Sequence, residues 1–144
     1  MSQVTSIRRT LAAALAAVCL LAALCSSAGA ATPRAGYYEG TTAQQGAVDF
    51  KVFKYGSFSG TVRKVLKVGA TTQLTCASGE VKEDRYLIYI LMGGKIDRYG
   101  RFKYAGSGFT IKGRFTTRTS ARGTLSRTVG DCKAENISWT AKRS

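Results

Sequence analysis

The sequence predicts an all-β fold, an antiparallel meander of eight or nine short strands that forms a closed or nearly closed barrel. Two observations support this prediction. After residue 30, apolar residues alternate with polar ones along most of the chain, which is the period of a strand with one buried face. Glycine-containing turns separate the alternating runs, and no window there has the i, i+3, i+4, i+7 stripe of a helix. A β-sandwich is the alternative architecture.

The cleanest alternation occurs in four segments, which are 48–52, 109–116, 121–126 and 137–142. Less regular candidate strands are 36–42, 60–68, 71–77, 81–91, 95–98 and 101–105. Turns are predicted at Ser78-Gly79, Tyr99-Gly100 and Gly106-Ser107-Gly108, where glycine supplies the positive φ that hairpins require. The barrel is favoured because local hairpins make most of the connections and closure removes exposed sheet edges.

The first thirty residues have the composition of a secretory signal peptide. Arg8 and Arg9 precede an apolar run over 11–24, and the small residues Ala28-Gly29-Ala30 follow. The run is shorter than the roughly 20 apolar residues with which a helix crosses a bilayer. We therefore expect cleavage after Ala30, a flexible leader over 31–35, and a single secreted or extracytoplasmic β domain over 36–144 with no transmembrane segment.

Two of the four cysteines, Cys19 and Cys25, would leave with the signal peptide. The remaining pair, Cys76 and Cys132, is predicted to form a disulfide, the usual state of paired cysteines in an exported chain. It would close a loop of about 57 residues, which stabilises the fold by about 4 kcal/mol in the chain-entropy model. The chain has no histidine, so a catalytic thiol or a metal site lacks its usual partners. We expect no metal site and no cofactor.

The chain is strongly basic, with 22 Lys+Arg against 8 Asp+Glu and a net charge of +14. Without Arg8 and Arg9 the 114 residues after position 30 keep a charge of +12. The stretch 101–127 carries basic residues and no acidic residue. Such a charge favours anionic partners over cationic ones.

Alternation assigns the residues of this stretch to two faces. The side chains predicted to point into the core are Phe102, Tyr104, Ile111, Phe115, Leu125 and Trp139. The basic side chains predicted to form an anion-binding face are Arg101, Lys103, Lys112, Arg114, Arg118 and Arg122. Like charges on neighbouring strands repel, so a face that keeps them is a candidate anion site. A solvated face that keeps the protein soluble is the alternative interpretation.

Several short motifs carry a resemblance to a known group of proteins. They are Gly36-Tyr37-Tyr38-Glu39-Gly40, Gly100-Arg101-Phe102, Gly113-Arg114-Phe115, Ala121-Arg122-Gly123-Thr124-Leu125, Cys132 and Trp139-Thr140-Ala141. With them the chain resembles a group of small exported β proteins of high-GC Gram-positive bacteria, which share a Gly-Tyr start, one cysteine pair and an Ala-x-Gly-Thr strand. The resemblance implies export and an all-β fold, and it implies no activity, since none is established for that group.

These observations predict an exported, non-enzymatic binding module whose basic face, about 101–127, engages anionic envelope polymers or phospholipid headgroups. Nucleic acid is a less suitable partner because export separates the protein from it. One alternative is a barrel that binds a small apolar ligand among its aromatic side chains, including Tyr37, Tyr38, Tyr86, Tyr89 and Trp139. Others are a carboxylate-based hydrolase using Glu80, Glu83, Asp84 or Asp97, and a protease inhibitor with the loop Arg118-Thr119-Ser120.

Overall fold

The computed structural model describes residues 31–57, 60–90 and 94–144, so the predicted signal peptide lies outside the described residues. Eight strands form one antiparallel sheet. They are β1 (Gly36–Thr42), β2 (Ala47–Ser57), β3 (Gly60–Cys76), β4 (Val81–Tyr89), β5 (Arg101–Gly106), β6 (Phe109–Phe115), β7 (Ser120–Val129) and β8 (Cys132–Arg143). The predicted turns at 78–79, 99–100 and 106–108 lie between strands, and Gly79, Gly100 and Gly108 have positive φ.

The sheet order is β4-β3-β2-β1-β8-β7-β6-β5. It consists of two four-stranded meanders, β1–β4 and β5–β8, joined because β1 pairs with β8. A second contact, of β3 with β8 at Cys76 and Cys132, closes β3, β2, β1 and β8 into a four-stranded barrel, with the other four strands outside it. The predicted antiparallel all-β barrel is therefore confirmed. The meander itself is interrupted, since β4 and β5 are the two ends of the sheet order.

Strand β3 differs from the sequence prediction, which divided it into 60–68 and 71–77. The structure has one strand of 17 residues with a bulge. Lys51 lies opposite Lys67 and Val52 opposite Val65, so Leu66 is the extra residue. The bulge changes the phase of the alternation within the predicted segment 60–68. The chain then continues as a strand through Gly69 and Ala70, where the prediction placed a break. The candidate strand 95–98 forms only an isolated bridge, between Lys64 and Lys95.

Aromatic rings from both meanders form the centre of the buried core. The Phe50 ring stacks on Tyr38 with 5.1 Å between ring centres and meets Trp139 edge-on at 5.6 Å. Phe102 and Phe115 complete this group, at 5.7 and 6.1 Å from Phe50. The predicted inward side chains of Phe102, Ile111, Phe115, Leu125 and Trp139 are buried and that of Tyr104 is half-buried, which confirms the assignment of the core face.

Side chains connect the two meanders where β4 and β5 are unpaired. The Arg127 side chain on β7 is largely buried, and its Nε donates to Asp84 Oδ2 on β4 at 2.8 Å. Its Nη1 donates to the Ser107 carbonyl oxygen at 2.8 Å, and the guanidinium lies 4.1 Å from the centre of the Tyr86 ring. Tyr86 in turn packs on Phe109 at 4.7 Å. Because one arginine contacts β4, β7 and the β5–β6 turn, it holds the outer strand β4 against the second meander.

The segment 31–35, predicted as a flexible leader, lies against the barrel. The Arg34 N–H donates to the Arg118 carbonyl oxygen at 2.9 Å, and Pro33 is buried. The Tyr38 hydroxyl lies 2.8 Å from the Arg34 carbonyl oxygen and 3.0 Å from that of Arg118, and donates its proton to them. Burial raises the pKa of Tyr38 above its ordinary value, so the hydroxyl remains a hydrogen-bond donor even in more alkaline solution.

Candidate anion-binding groove

Two rows of basic side chains cross the second meander on its outer face. Arg101 lies opposite Arg114, and Arg114 lies opposite Arg122, which forms a row of three arginines over β5, β6 and β7. In the next row Lys103 lies opposite Lys112. Neighbouring strands are about 4.8 Å apart, so the register places like charges directly beside one another three times.

These rows border an open groove of about 960 Å³. Five of the six residues predicted to bind anions line it, namely Arg101, Lys103, Lys112, Arg114 and Arg122. The sixth, Arg118, lies in the β6–β7 turn and is not among the lining residues. Lys95 adds a sixth cation, and Thr124, Ser138 and Thr140 add hydroxyl groups towards β8.

The floor of the groove is a row of residues without long outward side chains. Register places Gly113 and Gly123 side by side, between Phe102 on β5 and Trp139 on β8. A Cβ atom on Gly113 would come within 2.4 Å of the Phe102 ring, and one on Gly123 within 1.9 Å of the Lys112 carbonyl oxygen. The rings of Phe102 and Trp139 both belong to the buried core. The two glycines therefore let the core rings pack directly beneath the sheet, and the backbone itself forms the floor.

The groove has little compensating negative charge. Its six cationic side chains face one carboxylate, Asp97, which leaves a net charge of +5. Asp97 Oδ2 lies 2.9 Å from Arg101 Nε. Within the described part of the chain the other five, Lys95, Lys103, Lys112, Arg114 and Arg122, form no ion pair within 4.0 Å. An anion entering the groove would therefore meet unneutralised positive charge.

Asp97 also organises the turn that leads into β5. Its Oδ1 accepts hydrogen bonds from the backbone N–H groups of Arg101 at 2.9 Å and Tyr99 at 2.8 Å. The Arg101 backbone hydrogen bond is the largest cause that lowers the pKa of Asp97, and the Arg101 side chain lowers it further. The carboxylate thus remains ionised in mild acid and anchors one end of the arginine row.

We expect the Asp97→Asn substitution to remove a pH-dependent part of the stability. Because the folded-state pKa is lowered, the ionised carboxylate stabilises the fold above about pH 4, the ordinary value for aspartate, and this contribution disappears as the pH falls through the lowered pKa. Melting temperatures measured from pH 6 down to pH 2.5 should differ most between the two proteins at pH 6 and converge in acid. A constant difference over that range would contradict the assignment.

The structure gives the other candidate catalytic residues different surroundings. Asp84 pairs with Arg127, Glu80 lies 3.1 Å from Lys82 Nζ, and Glu83 is exposed on β4. In the loop considered for protease inhibition, backbone atoms are hydrogen-bonded to the barrel, with the Arg118 carbonyl accepting from Arg34 and that of Thr119 from Arg143. Three of the four candidate carboxylates, those of Glu80, Asp84 and Asp97, therefore each lie beside a basic side chain.

The predicted disulfide is present between Cys76 and Cys132. The two residues lie directly opposite each other on β3 and β8, and they pack with Leu74 and Ala134 in a small second core. Asp131 lies beside them. Its carboxylate and the two sulfur atoms lie within 4.8 Å of one another, which is the spacing of a group that could hold a metal ion. Both sulfur atoms are engaged in the disulfide, so neither offers a thiolate ligand.

Sequence reasoning missed some residues of the groove. Lys95 lines the groove because an isolated β-bridge pairs it with Lys64. No local sequence pattern predicts this contact. The hydroxyls of Ser138 and Thr140 had a signal, because both occupy polar positions of the alternating run in β8.

The fold and the groove define a class of protein, an antiparallel β-barrel with a cationic groove on its outer face. No protein-family model, curated protein or solved structure matches the chain. Among the described residues there is no helix with the length and apolar character needed to cross a membrane.

Proposed function

We propose that the chain is an exported, non-enzymatic binding module whose groove binds the anionic groups of an envelope polymer or of lipid headgroups. The observation that carries this proposal is the row Arg101–Arg114–Arg122, in which like charges lie directly opposite on adjacent strands. Such pairs cost roughly 0.2–1 kcal/mol each when nothing lies between them. A bound anion would offset this repulsion, because each guanidinium group would then contact a negative group.

The chemistry of the groove supports a phosphate-bearing or carboxylate-bearing chain. Guanidinium groups bind both anions through two parallel hydrogen bonds, and three of the six cations are arginines. The groove is open along the sheet, which suits a polymer or a surface better than an enclosed small molecule. The hydroxyls of Thr124, Ser138 and Thr140 provide hydrogen bonds for uncharged parts of the ligand.

Export is the second part of the proposal. The disulfide supports it, since such bonds persist mainly in oxidising compartments. The signal-like composition of residues 1–30 and the resemblance to small exported β proteins support it independently of the structure.

The site is proposed on the outer face because the interior is occupied by side chains. Tyr38 and Trp139 pack on Phe50, and Tyr86 packs on Phe109. Tyr37 and Tyr89, also considered for an internal apolar ligand, are exposed on the outside.

The double substitution Arg114→Gln/Arg122→Gln is expected to weaken binding of linear polyphosphate at least tenfold, because it removes the middle and one end of the arginine row. Wild-type binding should weaken with added salt, since the contact is ionic, and the variant should show a shallower salt dependence. Titration calorimetry at several salt concentrations measures both.

The matched control is Lys82→Gln/Lys133→Gln, which removes two exposed lysines outside the groove. It should change the affinity no more than about threefold, as expected for a long-range charge effect. An equal loss of affinity in both variants would contradict specific binding in the groove. So would wild-type binding that does not depend on the salt concentration. Vesicles of anionic phospholipid form the second arm: loss of vesicle binding in the groove variant assigns headgroups as the ligand, and loss of polyphosphate binding alone assigns a polymer.

A further inference from the structure

The first meander carries a second surface of different chemistry. The described residues include eight large apolar side chains that are exposed, and six of them lie on β1, β2 and β4. One of the six, Val81, begins β4, six residues before Leu87. The other five form one group on the outer side of the meander. They are Tyr37, Phe53, Tyr55, Leu87 and Tyr89. Together with Lys51, Lys64 and Lys67, which lie between them, we call this surface the aromatic face. Single exposed apolar residues are ordinary, but a contiguous group of them marks an interaction site.

The strand register shows that the face is continuous. One row crosses all four strands of the meander in the order Tyr37, Lys51, Lys67 and Tyr89. Further along β2, Phe53 lies opposite Lys64 and its ring is 4.8 Å from that of Tyr55. Aromatic and cationic side chains thus occupy neighbouring positions over the whole face.

Two of the three lysines lie over rings of the face. Lys51 Nζ lies 4.8 Å from the centre of the Tyr37 ring, and Lys64 Nζ lies 5.8 Å from that of Tyr55. In the described residues none of the three lysines of this face forms an ion pair with a carboxylate within 4.0 Å. Their stems cover apolar surface while their ammonium groups remain in water, which is how lysines behave at a membrane interface.

The charges on this half of the barrel also give the face a boundary. The adjacent row runs Glu39, Asp49, Gly69 and Leu87. The face continues into this row on β4 through Leu87, and the two carboxylates bound it on β1 and β2. An anionic surface would be repelled there and attracted to the lysines. The contact should therefore be centred on the side of the face that extends from Lys51 towards the β2–β3 turn.

We propose that the aromatic face docks the protein on the surface of an anionic lipid bilayer. The tyrosine and phenylalanine rings enter the headgroup region, where amphipathic rings are favoured, and the three lysines contact lipid phosphates. A soluble polyanion would satisfy the lysines but would give the rings no apolar environment. The groove lies on the other meander, so this proposal does not depend on whether the groove binds a polymer. It does require that the aromatic face, and not the groove, contacts the vesicle surface.

The test uses vesicles of phosphatidylcholine with 30% phosphatidylglycerol, in a sedimentation assay. Tyr37→Thr/Tyr89→Thr should weaken vesicle binding at least tenfold, because it removes the rings at both ends of the row while threonine suits an exposed strand position. Lys51→Gln/Lys67→Gln should abolish the preference for these vesicles over pure phosphatidylcholine. Both variants should still bind polyphosphate as the wild type does.

The control for lost apolar surface is Val81→Thr/Val129→Thr, which removes two exposed apolar residues outside the face and should bind vesicles normally. Arg114→Gln/Arg122→Gln should also retain vesicle binding. The proposal is overturned if the tyrosine variant binds vesicles like the wild type, if the valine variant loses as much, or if the wild type does not prefer anionic vesicles. Loss of vesicle binding by the groove variant alone would overturn it too, and would assign the headgroups to the groove.

Discussion

Replacing Gly123 with alanine is expected to destabilise the barrel by about 3 kcal/mol, the upper end of the usual cost of overpacking a core. A Cβ atom there would lie 1.9 Å from the Lys112 carbonyl oxygen, 2.7 Å from Trp139 Cζ2 and 2.8 Å from Gly113 Cα. Two of these three atoms belong to the backbone, which cannot move away by changing a rotamer. The strands must separate or Trp139 must leave its position, and both changes disturb the core around Phe50. Denaturation by guanidinium chloride measures the loss.

The control substitution is Gly56→Ala on β2. No atom lies within 4 Å of the position that its Cβ would occupy, and Gly56 is not among the residues with positive φ. Alanine should therefore be neutral or slightly stabilising there, since it restricts the unfolded chain without a clash in the folded one. Similar effects of the two substitutions would contradict the close approach of β6, β7 and the Trp139 ring. Gly123→Ala should also weaken polyphosphate binding, because it changes the groove floor.

Removing the disulfide by Cys76→Ala/Cys132→Ala is expected to lower the free energy of unfolding by about 4 kcal/mol. The bond joins residues 56 positions apart, so its loss returns considerable conformational freedom to the unfolded chain. It also supports the β3–β8 contact, which has only two residue pairs, Thr75 with Lys133 and Cys76 with Cys132. The four-stranded ring should open at this end before the rest of the barrel unfolds. Hydrogen exchange at Thr75 and Lys133 would detect that opening.

Dithiothreitol provides an internal control for this prediction. It should lower the melting temperature of the wild type to that of the double variant, while leaving the variant unchanged. A wild-type transition that does not respond to reductant, with the bond shown to be reduced by mass spectrometry, would contradict the stabilising role.

Much of the fold could be predicted because burial of one sheet face imposes a period of two. Strand β6 is the clearest case, since Phe109, Ile111 and Phe115 are buried as the alternation predicts. The order of strands could not be obtained this way, because pairing of β1 with β8 and the interruption between β4 and β5 depend on contacts distant in sequence. The Leu66 bulge also escaped prediction, since an extra residue changes the phase of the pattern without a turn residue to announce it.

The groove was predictable to the extent that its cations occupy outward positions of regular strands. Its floor was not, because Gly113 and Gly123 appear in sequence as interruptions of two core faces, and only register places them side by side. The aromatic face shows the same limit. Tyr37 and Tyr38 are neighbours in sequence, yet Tyr37 is half exposed and Tyr38 is fully buried. Composition counts both rings equally, whereas strand geometry assigns them to opposite sides of the sheet.

Because β1 pairs with β8, the barrel cannot finish folding before β8 has been synthesised. Gly40 lies opposite Ala141, so β1 leaves the ribosome long before β8, its second partner. Until then the β1–β4 hairpins are without Trp139, and the Phe50 ring lacks its cover. An incomplete chain therefore presents an unpaired strand edge and an apolar surface, the two features that lead to aggregation. Such a chain is protected from aggregation if it stays unfolded until β8 is available to pair with β1.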